Sequence, residues 1–265
     1  MLFRSQTDLI LVNLDSSEAV VDLLAYGPGG RLNAPRGVSV KGGSQQTVPL
    51  SVIARTDHPI TVKVSTSQGR VAAFVRQFSW NRTAPYSSDW VPDGLAPATD
   101  VVLPGVPAGA GKRTLVVSNP GELTAGVDID VLSSAGLSQL TDAQRIDVPP
   151  ATTQTIELAP GLDAQAAGLR LTSNLPITAA VMADNGGSKS AVDNTVAGYT
   201  PALPHDAVWP ISLGTKTTGQ LQLVNPGQSA AAVTISVARN SGAASDTKVT
   251  VRSEERRVGK ECRSR

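Results

Sequence analysis

The sequence predicts an all-β protein built from tandem immunoglobulin-like β-sandwich repeats with a period of about 106 residues. Three observations lead to this prediction. A motif of one strand ending in asparagine recurs at even spacing, short segments alternate apolar with polar residues, and turn-forming residues separate those segments. Six or seven short strands within about 100 residues, separated by turns, are typical of an immunoglobulin-like sandwich.

The recurring motif occupies residues 9–13, 115–119 and 221–225. Its asparagines are 119 − 13 = 106 and 225 − 119 = 106 residues apart. An equal spacing of this kind indicates a repeated structural unit. A further match links residues 46–50 with 154–158. Another links Val64, Ala72 and Ala73 with Leu171, Ala179 and Ala180.

Each predicted strand is a place where every second residue is apolar, because successive side chains of a strand point to opposite faces of a sheet. In the first repeat these places are Leu9/Leu11, Val21/Leu23, Val38/Val40, Val48/Leu50, Ile60/Val62/Val64 and Val71/Ala73/Val75. In the second they are Leu115/Val117, Val127/Ile129/Val131, Ile146/Val148, Ile156/Leu158, Leu169/Leu171 and Ile177/Ala179/Val181. The Asn-Pro-Gly sequence after the first strand of the second and third copies predicts a tight turn.

The two ends of the chain differ from the rest. Residues 252–265 and 1–5 resemble translated sequencing-adapter sequence, in opposite orientations, and we expect both to be foreign to the fold. The organisation predicted is therefore a first repeat at 6–100, a second at 101–206 and a truncated third at 207–251. On this interpretation the chain is a fragment whose natural termini lie elsewhere.

Charge argues against nucleic acid as a partner. The chain has 23 basic and 22 acidic residues, and the two ends hold seven of the former and three of the latter, which leaves 23 − 7 = 16 against 22 − 3 = 19. A mildly acidic chain of this kind has no basic field for nucleic acid or an anionic membrane.

Cys262, the single cysteine, lies in the tail, so no disulfide is predicted. No apolar run is long enough to predict a membrane span within this stretch.

The repeats, the Trp80-to-Trp90 stretch and the Val102-Leu103-Pro104-Gly105 approach to the second repeat resemble an actinobacterial secreted or envelope family called domain of unknown function 5719. The resemblance covers nearly all of the chain between its two ends. It implies an extracytoplasmic location, with an N-terminal signal or membrane anchor outside this stretch. It supplies no catalytic residues.

The histidines are the first candidates for catalysis. His58 and His205 each stand beside an aspartate, Asp57 and Asp206, in a proline-containing loop. A histidine–aspartate pair can orient a general base, but no serine in a Gly-x-Ser-x-Gly context completes a triad. We therefore interpret both as ordinary loop residues and predict no enzyme, no cofactor and no metal site.

A pair of carboxylates, Asp128 and Asp130, is the second candidate. Both alternate with apolar residues and so share one face of a predicted strand. The third repeat has Thr234 and Ser236 at these places and the first keeps only Asp22, which favours a solvated sheet face over a calcium or acid–base site.

The aromatic stretch 78–90 is the candidate binding site. Only 3% of the chain is aromatic, yet this stretch holds four aromatic rings, and its counterpart in the second repeat has none. One interpretation is a platform that stacks on sugar rings of cell-wall glycan, formed by Trp80, Arg82, Tyr86, Asp89 and Trp90. The other, which we favour, is that the tryptophans seal the joint between two sandwiches.

These features predict a non-catalytic scaffold or interaction module of the bacterial cell envelope, since repeats without catalytic chemistry usually space or present something. The alternative is a glycan-binding accessory module of a larger secreted enzyme. The partners expected are cell-wall glycan or an envelope protein.

Overall fold

The computed structural model describes residues 4–56, 58–80, 85–109, 111–134, 136–140, 143–158, 162, 165–184, 194–201, 203, 206–208, 220–237 and 245–253. It is an all-β protein with several sheets. Its first eight strands are β1 (Arg4–Asn13), β2 (Ala19–Gly27), β3 (Gly30–Leu32), β4 (Val38–Val40), β5 (Ser44–Pro49), β6 (Thr61–Gln68), β7 (Ala72–Trp80) and β8 (Pro85–Pro92). The next eight are β9 (Ala98–Val106), β10 (Arg113–Asn119), β11 (Ala125–Ser133), β12 (Gly136–Gln139), β13 (Arg145–Val148), β14 (Thr152–Glu157), β15 (Ala167–Asp184) and β16 (Asn194–Gly198). Last come β17 (Ala231–Val237) and β18 (Ser245–Val251).

Strands β1 to β8, here called the first unit, form two sheets. One has the order β5-β1-β7-β8, and in the other β6 pairs with one edge of β2 while β3 and β4 share the opposite edge. Alternate residues such as Leu9 and Leu11 of β1 and Val21 and Leu23 of β2 are buried between the sheets in one hydrophobic core. Burial of this apolar surface is what holds the two layers together.

Strands β9 to β16, the second unit, enclose a second core that includes Leu115, Val127, Leu169 and Val181. β15 is 18 residues long and belongs to both layers. Its first half pairs with β11 and β9, and its second half pairs with β10 and β16. The core is thus bounded by two layers that one continuous strand connects.

The structure differs from the predicted strands at several places. The two strands predicted at Leu169/Leu171 and Ile177/Ala179/Val181 are one strand, β15, because the backbone stays extended through Pro176. Leu50 lies in a short 3₁₀ turn after β5, and Leu158 follows the last residue of β14. Strands β3, β8, β9, β12 and β16 are additional to the predicted set.

Strand register also corrects one sequence match. Leu11 pairs with Ala73 in the first unit, and Val117, 106 residues after Leu11, pairs with Ala179 in the second. Ala73 therefore corresponds to Ala179, and not to Ala180 as the sequence match had it. The match of residues 46–50 with 154–158 agrees with the register, because Val48 and Ile156 pair with Leu9 and Leu115.

An asparagine ends β1 in the first unit and β10 in the second, and it holds the turn that follows each strand. The Asn119 amide donates to the carbonyls of Leu123 at 2.7 Å and Val148 at 2.9 Å, and its Oδ1 accepts from the Gly121 N–H at 2.9 Å. Asn13 and Asn225 make the same three bonds with the residues at equivalent places. Asparagine is suited to this position because its amide both donates and accepts.

The last two strands, β17 and β18, form an antiparallel pair of their own. Their side chains are exposed or half-buried. Across the described residues, no helix combines the length and the apolar character needed to cross a membrane.

Candidate functional site

The outer face of the β5-β1-β7-β8 sheet holds the candidate site. Strand pairing sets Arg76 of β7 between Asp8 of β1 and Trp90 of β8, and sets Phe78 opposite Ser88. Residues two apart in a strand point to the same side, so Phe74, Arg76 and Phe78 share this outer face. Asp8, Phe74, Arg76, Phe78 and Trp90 are called the Arg76 cluster below.

Trp90 is the exposed ring of the cluster. Its residue surface is 56% exposed, although large apolar side chains usually lie inside a protein. The Phe74 ring packs against it with centroids 5.2 Å apart and planes tilted by 52°. Such a tilted pair is a favourable aromatic arrangement, and it fixes the indole while leaving much of its surface in solvent.

Arg76 lies between the rings. Its guanidinium carbon is 4.5 Å from the centroid of the Phe78 ring and 5.9 Å from that of Trp90. Both distances are within the range of a cation–π interaction. The cluster therefore places a positive charge beside an exposed aromatic surface.

Asp8 forms an ion pair with Arg76. It is 1% exposed, and its Oδ2 accepts a hydrogen bond from Arg76 Nη2 at 3.2 Å. The Gln6 amide donates to both carboxylate oxygens of Asp8, at 3.1 and 2.9 Å. A buried carboxylate is tolerated only when it is paired and hydrogen-bonded in this way. Arg76 Nε is buried and has no acceptor within the described part of the chain.

The predicted binding residues are distributed as follows. Trp90 is in the cluster. Asp89 is half-buried and pairs with Gln77, so alternation along β8 turns it to the opposite face of the sheet. The side chains of Trp80 and Tyr86, and all of Arg82, lie outside the described residues.

Sequence reasoning missed Asp8, Phe74 and Arg76. The signal for Phe74 and Arg76 was present, because β7 carries Phe, Arg and Phe at every second position. Asp8 stands 76 − 8 = 68 residues before its partner, and only the pairing of β1 with β7 brings the two together.

Hydroxyl groups lie at the joint between the first and second units, where β8 also lies next to β16. The Thr153 hydroxyl donates to the Tyr26 carbonyl at 2.9 Å and lies 3.2 Å from the Thr61 hydroxyl. Beside this joint runs an open groove of about 2630 Å³ lined by both units. Trp90 is not among the residues that line the groove.

The described residues among the other candidates are not members of the cluster. His58 is exposed and its backbone N–H bonds the Thr56 hydroxyl, while Asp57 and His205 lie outside the described residues and Asp206 is exposed. Within the part of the chain that the structure describes, no three His, Cys, Asp or Glu side chains are grouped to hold a metal.

Asp128 and Asp130 lie on the outer face of β11, between buried residues of the second core. Arg145 Nη1 donates to both oxygens of Asp128 at 3.1 Å, and the Gln139 amide donates to Asp130 at 3.3 Å. The two carboxylates thus have separate partners on neighbouring strands.

The fold and the Arg76 cluster together define an all-β protein of several sheets with an exposed aromatic surface. The chain belongs to the family of unknown function DUF5719, whose profile matches residues 4–255, and the resemblance drawn from the sequence is thereby confirmed. None of the curated proteins compared matches the chain. Among solved structures, the chain is similar to the crystal structure of Thermotoga maritima 1070, with 18% sequence identity over 39% of this chain and 94% of that chain and a TM-score of 0.32.

Proposed function

We propose that the protein is a non-catalytic scaffold or interaction module of the bacterial cell envelope, made of tandem immunoglobulin-like sandwich repeats with a period of about 106 residues. The repeats would occupy residues 6–100, 101–206 and 207–251. The observation that carries the proposal is the asparagine-held turn, which recurs with the same three hydrogen bonds at Asn13, Asn119 and Asn225.

Strand pairing supports the same division. β1 lies between β5 and β7 as β10 lies between β14 and β15, and β2 lies beside β6 as β11 lies beside β15. Each unit has its own hydrophobic core. Units that stack along a chain in this manner form extended surfaces on which partners bind, and this suits a scaffold better than an enzyme.

The proposed extracytoplasmic location is based on the resemblance to the family, and sequencing the gene beyond this stretch tests it. Extending the reading frame on both sides of this stretch, and fractionating cells that make the protein, should reveal an export signal or anchor and an envelope-bound product. A complete frame without any export signal, with the product in the cytosolic fraction, would overturn the proposal.

A second candidate function, glycan binding by an accessory module, is favoured by one observation. Trp90 presents an exposed indole that Phe74 and Arg76 hold in place. An aromatic face can stack on the apolar face of a sugar ring, and the neighbouring guanidinium can donate hydrogen bonds to hydroxyls.

The test of this candidate is co-sedimentation with insoluble cell-wall glycan. Trp90→Ala should raise the dissociation constant at least about tenfold, because one buried aromatic contact is worth about 1.5–3 kcal/mol. Leu123→Ala is the matched control, since Leu123 is 69% exposed and lies in the second unit. Equal retention of both variants and the unmodified protein would rule the aromatic surface out as a glycan site.

A further inference from the structure

The edge of β6 is a strand-binding position that the second unit fills and the first does not. In the second unit, the first half of β15 hydrogen-bonds to β11 on one side and to β9 on the other. β6 holds the same place in the first unit, because it pairs with β2 as β15 pairs with β11. Among the described residues, β2 is the only strand that pairs with β6.

The empty position leaves the first core partly open. β9 brings Val101, Leu103 and Val106 into the second core, where each is at most 1% exposed, and Leu169 and Leu171 opposite them are fully buried. The register makes Val62 and Val64 of β6 the counterparts of Leu169 and Leu171, and both are only half-buried. The first unit therefore has apolar surface that one added strand would cover.

The open edge faces a space large enough for a polypeptide segment. Thr61, Val62, Lys63 and Val64 line the groove between the two units. Its volume of about 2630 Å³ exceeds the roughly 300–1,000 Å³ of a typical small-molecule pocket. An exposed strand edge beside such a groove offers unpaired N–H and C=O groups to an extended peptide.

Charge adds a second requirement on the occupant. On the filled edge, Arg170 of β15 donates to both oxygens of Asp100 on β9, at 3.0 and 2.9 Å. Lys63 of β6 stands at the place of Arg170, since the registers match Leu23 with Val64 and Ile129 with Leu171. Lys63 is exposed and has no carboxylate partner in the described part of the chain.

We propose that the β6 edge binds an extended segment of a partner polypeptide by antiparallel strand addition, an inference that rests on the proposed function as an interaction module. The segment carries an acidic residue followed by aliphatic residues one, three and six positions later, the pattern of Asp100, Val101, Leu103 and Val106. A second copy of this chain is a poor donor, because its own β9 is already paired and buried.

The first experiment uses a synthetic peptide with the sequence of residues 97–107. The peptide should bind saturably. Its binding should slow hydrogen exchange of the backbone amides of residues 61–68, because new strand pairing protects them. A peptide carrying Val101→Ser and Leu103→Ser should bind at least about tenfold more weakly, since it loses two buried aliphatic side chains. Absence of saturable binding, or equal binding of both peptides, would overturn the proposal.

A charge exchange tests the register. Lys63→Glu should weaken binding of the original peptide, and an Asp100→Lys peptide should restore it on that variant; Lys41→Glu, at another exposed lysine, is the matched control and should change nothing. Weakening by both lysine variants would point to net charge and count against the proposed register.

A third arm separates the occupants. It uses a variant chain in which residues 97–112 are also placed ahead of β1. Suppose that the amides of residues 61–68 are protected in this variant without peptide, while the free peptide does not bind the unmodified protein. That result would assign the edge to a covalently joined strand and overturn the proposal of a separate partner. Failure of the peptide would leave the envelope location intact, whereas a cytosolic product would overturn the proposed function without affecting peptide binding.

Discussion

Asn119 shows how one side chain holds the connection between two strands. It is fully buried, and its amide satisfies two carbonyls and one N–H that the turn leaves without backbone partners. Buried polar groups that lose their partners are destabilising by about 1–3 kcal/mol each. The role of this side chain is therefore hydrogen bonding, and not packing alone.

Replacing this residue gives the first prediction. Asn119→Ala should lower the free energy of unfolding by about 2–4 kcal/mol, measured by urea denaturation, because it leaves the buried Val148 carbonyl and its neighbours unpaired. Asn225→Ala removes the same three bonds at a more exposed turn and should cost only roughly 0.5–1.5 kcal/mol. Equal effects of the two variants would contradict this account.

Asp15 provides a prediction about pH. Hydrogen bonds from the Arg70 guanidinium, at 2.9–3.2 Å, hold the pKa of this carboxyl below its usual range. A lowered pKa contributes stability that is present above the unfolded-state pKa and is lost as the pH falls through the folded-state pKa. The pair is exposed, so its effect on global stability should be small.

The direct measurement is NMR titration of the Asp15 carboxyl. Its midpoint should lie below that of an ordinary aspartate and return towards the ordinary value in Arg70→Gln, because the guanidinium that favours the ionised form is then absent. Lys41→Gln, which removes an exposed charge elsewhere, should leave the midpoint where it was. A midpoint unmoved by Arg70→Gln would show that Arg70 is not the cause.

At the scale of elements, the two units differ in how the chain passes from one layer to the other. β15 runs unbroken through both layers, whereas β6 and β7 are separated at Gly69, whose φ is +67°. A Cβ at Gly69 would meet the Cβ of Ala19 at 3.0 Å and its Cα at 3.1 Å. Glycine is thus required at the break for both its backbone angle and the space around it.

Gly69→Ala should therefore lower the free energy of unfolding by about 1–2 kcal/mol, measured by chemical denaturation, because alanine is strained at positive φ. Gly94→Ala is the matched control: no heavy atom lies within 4 Å of a Cβ built there, so the change should stay within about 0.5 kcal/mol. A neutral Gly69→Ala would mean that the chain relaxes at this break.

Recurrence of apolar residues at every second position predicted the strands that border the two cores. It placed β1, β2, β10 and β11 correctly because the core-facing residues of each strand lie two apart, although outward residues such as Ile10 and Val116 are buried as well. It missed β9, where Pro104 and Gly105 resemble a linker, and β8, which prolines bound at both ends. It divided β15 because Pro176 resembles a strand break.

The candidate site was predictable only in part, for a related reason. Trp90 stood out by its residue type in a chain poor in aromatics. The pairing of Arg76 with Asp8, and the empty edge beside β6, depend on strand register between distant parts of the chain. Composition and periodicity contain no information about register, so these features needed the structure.

At the scale of the whole molecule, polar contacts connect the three parts of the chain. Thr153 bonds the Tyr26 carbonyl across the first joint. Arg170 donates to the Pro226 carbonyl at 3.3 Å and the Gln222 amide donates to the Val106 carbonyl at 3.0 Å across the second. Small polar joints of this kind hold units in place without merging their cores.

This organisation predicts that the third part can be removed. Both hydrophobic cores are complete within residues 9–199, and β17 and β18 form a two-stranded pair, which is marginally stable alone. A chain ending after Pro201 should therefore unfold cooperatively, with a melting temperature lowered by no more than about 5 °C for the loss of a few polar contacts and of the packing of Val224 on Gly168. A chain ending after Glu157 is the control: it lacks β15, so the second core should not form. Unfolding of both variants is measured by calorimetry. Loss of cooperative unfolding in the longer variant would show that the third part supports the other two, because its contacts with Val106 and Arg170 would then be essential to the fold.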